Sequence, residues 1–267
     1  MLLFSTKSVY NYGEKFMKKI ILLLLALGVL PLFANPVTPR KRYRAEFEAR
    51  TIQKAYPLDW FCANLKFNYP GISFRFANSK GREIKTCYRS PFYVVTSDKF
   101  APGSFEFYAP DNAAKLVLRK SGVIVRNLKL TEVPVGKDLA ITPNYRVHGP
   151  VRNAEITVNP DGSAIFDTST NGVVESLPVP VKPGQRYRLT IRGGSGTRGG
   201  KGSSLLTRYY FYKSSSDRKS ISSNKEAIRL GGRRDTLTYE MQAPAGAKWF
   251  TIWCMWAKFY SFSLEEI

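Results

Sequence analysis

The chain has 267 residues, 43% of them hydrophobic and 13% aromatic, enough for one large or two modest cores. Lys and Arg number 41 against 20 Asp and Glu, a formal net charge of +21, which speaks of anionic partners (nucleic acid, an anionic membrane or an acidic polymer) rather than of fold. A single histidine and three cysteines with no CxxC leave too few ligands for a Cys/His metal site.

Met17-Lys18-Lys19, the apolar run Ile20 to Leu30 and the ending Pro31-Leu32-Phe33-Ala34 read as a secretory signal peptide. Cleavage is expected after Ala34, with Met17 as the natural start, so residues 1–34 are set aside. The apolar run is too short to span a bilayer comfortably. Removal of residues 1–34 takes away Lys7, Lys15, Lys18, Lys19 and Glu14 and leaves a strongly basic remainder. The mature chain is thus expected to be exported (periplasmic, cell-surface or secreted) with no transmembrane segment. An oxidising compartment permits a Cys62–Cys87 bridge. Cys254, within Trp253-Cys254-Met255-Trp256, reads as a buried apolar thiol, and the pairing of the three stays open.

Residues 35–42 are a Pro-rich basic lead-in. Tyr43, Ala45, Phe47 and Ala49 alternate with charged residues as in a strand, although Ala45, Ala49, Ile52 and Tyr56 also fit a helix. From Leu58 the period-two signal is steadier: Phe61 to Tyr69, then Ile72, Phe74 and Phe76 on one face, a turn at Asn78-Ser79-Lys80-Gly81, and a short run from Phe92 to Thr96. The segment 134–153 carries three prolines and places a domain boundary near Gly136. Beyond it, Asp161-Gly162 marks a hairpin, and Tyr187, Leu189 and Ile191 alternate with Arg186, Arg188 and Arg192. Residues 193–204 form a Gly-rich loop, Leu205 to Lys213 a Tyr-rich strand, and 214–225 a polar segment.

Two stretches match without a gap. Ser97 to Val133 superposes on Gly231 to Ile267: Phe105-Glu106-Phe107 falls on Tyr239-Glu240-Met241, Ala109-Pro110 on Ala243-Pro244, and Leu128, Leu130 and Glu132 on Phe262, Leu264 and Glu266. The shared pattern is an alternating strand, an Ala-Pro turn and two further strands, one β unit used twice. The expected fold is all-β: two antiparallel β-sandwich domains of jelly-roll type, at 35–135 and 136–267.

Motifs for chemistry are sparse. The Gly-rich loop lacks P-loop spacing, since Ser195 and Gly202 stand where Gly and Ser or Thr would be needed, so no nucleotide is expected. His148, the only imidazole, lies in the boundary segment and reads as a solvated linker residue. The chain is therefore read as non-catalytic, with no cofactor. In Trp249-Phe250-Thr251-Ile252-Trp253, Phe250 and Ile252 match Leu116 and Leu118 of the first copy and take the core face. Trp249 and Trp253 then point outward, where the first copy has Lys115 and Arg119. Exposed indoles stack well on the apolar faces of sugar rings. Tyr210 and Tyr212, or Tyr209, extend the platform, while Arg186 and Arg188 offer bidentate hydrogen bonds to carboxylate or sulfate.

Pro183-Gly184-x-x-Tyr187-x-Leu189, Tyr239-x-x-x-Ala243-Pro244-x-x-Ala247-Lys248 and the closing Phe262-x-Leu264-x-Glu266 resemble the carbohydrate-binding modules of the family 4/9 type, galactose-binding-like jelly rolls, over residues 150–267. The resemblance implies non-catalytic glycan binding on an aromatic-lined face, placed on Trp249 and Trp253, often beside a structural calcium whose ligands it does not assign here. The expected ligand is a polysaccharide, acidic or of the cell envelope. A surface structural or adhesion protein, with the tryptophans covered between domains, is the competing reading. Nucleic-acid binding has only the basic charge and the aromatics behind it, with no recognition motif.

Overall fold

Period-two patterning becomes strand throughout. The computed structural model describes residues 34–52, 70–86, 92–141, 151–152, 155–158, 164–167, 173–194, 205–217, 219–223, 228–230, 235–255 and 258–267. The proposed signal segment 1–33, Phe61 to Tyr69, Cys62, Cys87, His148, the Asp161-Gly162 turn and the Gly-rich loop from 195 onward lie outside the described residues.

The first half contributes β1 (Ala34–Pro36), β2 (Arg42–Thr51), β3 (Gly71–Ala77), β4 (Phe92–Val94), β5 (Ala101–Tyr108), β6 (Lys115–Ser121) and β7 (Val123–Glu132). The second contributes β8 (Val151–Arg152), β9 (Glu155–Val158), β10 (Ala164–Asp167), β11 (Val173–Glu175), β12 (Val179–Pro180), β13 (Arg186–Gly194), β14 (Leu205–Tyr212), β15 (Ser222–Ser223), β16 (Ile228–Leu230), β17 (Asp235–Gln242), β18 (Trp249–Met255) and β19 (Lys258–Glu266). No helix occurs among the described residues. The helical alternative for 45–56 therefore fails where it is described. Tyr43, Ala45, Phe47 and Ala49 are buried along β2, while Arg44 and Glu46 between them are exposed.

Each half is an antiparallel, jelly-roll-like sandwich. In the first, a sheet ordered β1-β6-β3-β4 faces one ordered β5-β2-β7. Phe74 of the one meets Phe105 of the other at 4.7 Å between ring centroids, and Phe47 at 6.3 Å. In the second, β15-β14-β18-β11-β8 faces β17-β13-β19-β10-β9, and Tyr209 reaches Tyr239 across the gap at 5.8 Å. Asn35–Ile267 forms one compact unit.

The duplication extends further upstream than the sequence match. β5 and β17, β6 and β18, and β7 and β19 are the copies already matched. In addition, β2 corresponds to β13 and β3 to β14. Tyr43 and Tyr187 each accept, through the phenol oxygen, a hydrogen bond at 2.8 Å from the backbone N–H five residues earlier, that of Thr38 and of Lys182. Arg40 and Gly184 occupy the same turn at φ of 64° and 76° and donate to the carbonyls of Ala109 and Ala243. Asn112 and Gly246 repeat this positive φ in the Ala-Pro turn, where a small or Asn-type residue is least strained. The Ile84 N–H donates to the Phe76 carbonyl as Ile221 does to that of Phe211, at 2.8 Å in both.

The segment around Gly136 runs onto the second sandwich. Leu139 N–H donates to the Leu264 carbonyl at 2.9 Å, and Asp138 Oδ1 accepts from Leu264 N–H at 3.0 Å. Tyr108 of the first half donates its hydroxyl to the Leu139 carbonyl at 2.8 Å. The residues that join the halves thus add a short antiparallel contact beside β19.

Candidate functional site

β18 sits inside its sheet with β14 on one side and β11 and β12 on the other. Its apolar face is core: Phe250 lies 5.3 Å from Phe211 and 6.0 Å from Tyr209, and Cys254 is fully buried beside Thr207. Burial pushes the Cys254 thiol up to about 12. Directly opposed residues of an antiparallel pair share a face. The register Tyr212↔Trp249, Tyr210↔Thr251 and Arg208↔Trp253 therefore gathers these six on the outer face, with Glu175 of β11 completing the Trp253 row.

This face is divided along its length. Trp249 is 0% exposed, and Tyr212 opposite it is also buried. The first half caps Trp249: Asp111 in the β5–β6 turn accepts its indole N–H at 2.7 Å. The same carboxylate accepts Ser215 N–H at 3.0 Å and pairs with Arg40 at 2.9 Å, while Asp111 N–H donates to the Ser215 hydroxyl. Burial raises the Asp111 carboxyl pKa, but hydrogen bonds from Ser215, Trp249 and Arg40 outweigh it and hold it below the usual range. The expectation that Trp249 and Tyr212 stand open beside Trp253 and Tyr210 is corrected here. A polar turn of the preceding repeat seals that end, for which strand periodicity carries no signal.

Four residues along an extended strand span about 13 Å, so the seal leaves the Trp253 end of β18 apart from it. Trp253 and Tyr210 are half-buried with ring centroids 5.2 Å apart and planes at 57°, and Tyr212 continues the series at 6.5 Å from Tyr210. Arg208 stands exposed in register with Trp253. Among the described residues, Thr251 Oγ1 and Trp253 Nε1 are buried without a hydrogen-bond partner. Thr251 is 1% exposed. Unpartnered buried donors and acceptors are rare, and a bound water is the usual partner at such a place.

Arg186 and Arg188 lie elsewhere. They are exposed on β13, in the opposite sheet, with Tyr187 and Leu189 turned into the core between them. Sheets of a sandwich are about 10 Å apart and the two outer faces point oppositely, so these arginines and Trp253 do not share one ligand surface. Each reaches a different oxygen of Glu240, at 2.7 and 3.0 Å. The first half repeats the device: Arg42 and Arg44 take the two oxygens of Glu106 at 2.7 and 2.6 Å. Arg208, which alternates with Tyr210 and Tyr212, puts an exposed cation on the aromatic face. Among the described residues there is no group of three or more His, Cys, Asp or Glu that could hold a metal ion.

No family model matches the sequence, and no curated protein does. Among solved structures, the chain is similar to the N-terminal CBM22-1-CBM22-2 tandem domain of Paenibacillus barcinonensis Xyn10C (10% identity, TM-score 0.34, 86% of this chain and 80% of that one). It is similar also to the carbohydrate-binding module CBM6cm-2 of Cellvibrio mixtus lichenase 5A, solved with cellotriose (16% identity, TM-score 0.29, 44% of this chain and 88% of that one). A third, Arthrobacter globiformis T6 isomalto-dextranase complexed with panose, matches at 12% identity and TM-score 0.36 over 87% of this chain and 35% of that one.

Proposed function

We propose that the chain is an exported, non-catalytic carbohydrate-binding protein of two sandwich domains that meet near Gly136, and that its second half takes a polysaccharide on the outer face of β14 and β18. One observation carries this reading: Tyr210 and Trp253 stand 5.2 Å apart on an outer sheet face, both half-buried, with exposed Arg208 in register beside Trp253. The rings offer π-faces to sugar C–H groups. Arg208 in the same row, with the basic net charge, favours an acidic polymer.

The experiment is binding of the mature chain to neutral and acidic polysaccharides at low and high salt, beside Trp253→Ala and Tyr210→Ala. Loss of binding in both variants, with wild-type binding largely kept in salt, supports stacking recognition. Binding that survives both substitutions sinks the site. Trp249, sealed by Asp111, favours a second reading in which the chain is a structural or adhesion protein of the cell surface. Absence of any glycan binding by the folded wild type would leave that reading in place.

A further inference from the structure

The duplication sets the aromatic face against its counterpart. In β3 and β6, Arg75 stands where β14 has Tyr210, Arg119 where β18 has Trp253, and Lys115 where it has Trp249. The two registers agree: Arg75 opposes Val117 and Ala77 opposes Lys115, as Tyr210 opposes Thr251 and Tyr212 opposes Trp249. The hairpin 78–84, tied by Asn78 Oδ1 to the backbone N–H groups of Lys80 and Arg82, returns Glu83 alongside Ala77. There the two oxygens of Glu83 each take one arginine: Arg75 at 3.1 Å and Arg119 at 2.6 Å.

We infer that this outer face of the first half is a second binding surface, for a carboxylated or sulfated polysaccharide. Two guanidiniums share one carboxylate, so the cluster keeps a surplus cation, and exposed Lys115, Lys80 and Arg82 add to it. Glu83 engages only one terminal nitrogen of each arginine, and Arg75 Nε is buried with no acceptor. Braced guanidiniums with free terminal N–H groups suit the paired oxygens of carboxylate and sulfate. A flat sheet face does not enter a duplex groove. The choice of a sugar polymer over other polyanions rests on the sugar reading of the Trp253 face. The site itself does not.

The test uses the mature chain and affinity electrophoresis in gels holding polygalacturonate, dextran sulfate, neutral dextran or duplex DNA. Lys115→Glu with Arg119→Glu changes exposed positions only, and Arg75→Gln is the second variant. Circular dichroism checks that each folds. At low salt both are expected to lose retardation by the two acidic polysaccharides, by about tenfold for the double variant, with the difference fading as salt rises. Glu83→Gln is expected to increase retardation, which a merely structural carboxylate would not do. Polygalacturonate and dextran sulfate separate carboxylate from sulfate recognition, and Trp253→Ala in the same gels reports the aromatic face independently. Unchanged retardation in folded Lys115→Glu/Arg119→Glu would overturn the inference, as would duplex DNA held more tightly than either acidic polysaccharide.

Discussion

Asp111, in a turn of the first sandwich, holds the indole N–H of Trp249, on a strand of the second, at 2.7 Å. The contact turns an outward strand position into a buried one and ties the two repeats to each other. At the matching turn of the second repeat stands Ala245, so the device belongs to one copy only.

Asp111→Ala leaves Trp249 Nε1 and Ser215 N–H without acceptors. A buried group stripped of its partner costs about 1–3 kcal/mol, so equilibrium urea unfolding is expected to show a loss of that size. A loss within the noise of the measurement would mean that water replaces the carboxylate freely.

The same residue sets an acid dependence. Its carboxyl is held below its ordinary range in the folded chain, so the unfolded chain binds the proton more readily. Its stabilising contribution is complete above the unfolded value of about 3.9 and is lost as pH falls through the lower folded value. Wild type should therefore lose stability more steeply than Asp111→Asn below about pH 4, and parallel curves would refute the linkage.

The two tryptophans should behave oppositely. Trp249→Ala empties a fully buried indole site and is expected to cost about 3–5 kcal/mol. Trp253→Ala, half-buried, should cost much less and instead lower polysaccharide binding. Denaturation and binding curves on both variants separate the roles.

The paired Arg-Glu devices differ in exposure. The Glu106 side chain is 19% exposed and that of Glu240 42%. An exposed ion pair contributes little to stability, so Glu240→Gln should be nearly silent, and Glu106→Gln should be the more destabilising. Thermal melts of the two variants check the order.

Cys254 should be inert in the native chain, because the reactive thiolate is disfavoured by complete burial and the thiol lies beside Thr207. Peptide-mapped maleimide labelling at pH 8 is expected to reach it only after denaturation.

The alternation of Tyr187, Leu189 and Ile191 was enough to place β13, because a strand with one buried face must repeat every two residues, whereas that of Tyr43, Ala45, Phe47 and Ala49 left a helix open until β2 was seen. The matched Ala-Pro turns likewise revealed the closing three strands of each sandwich. The correspondence of β2 with β13 and of β3 with β14 was harder to see, since it survives as hydrogen bonds and positive φ values rather than as shared residues.

By itself the sequence determined the all-β class, the duplicated unit and the orientation of each strand's two faces, all of which follow from local periodicity and turn chemistry. Only the tertiary structure decided what covers a face. Trp249 and Trp253 carry the same local signal, yet Asp111 and Ser215 seal the first and leave the second half-open. Arg186 and Arg188 read as ligand contacts until the strand order put them on the opposite sheet, paired with Glu240. Burial of an outward face depends on contacts between residues far apart in the chain, and a period of two records only which side a residue is on.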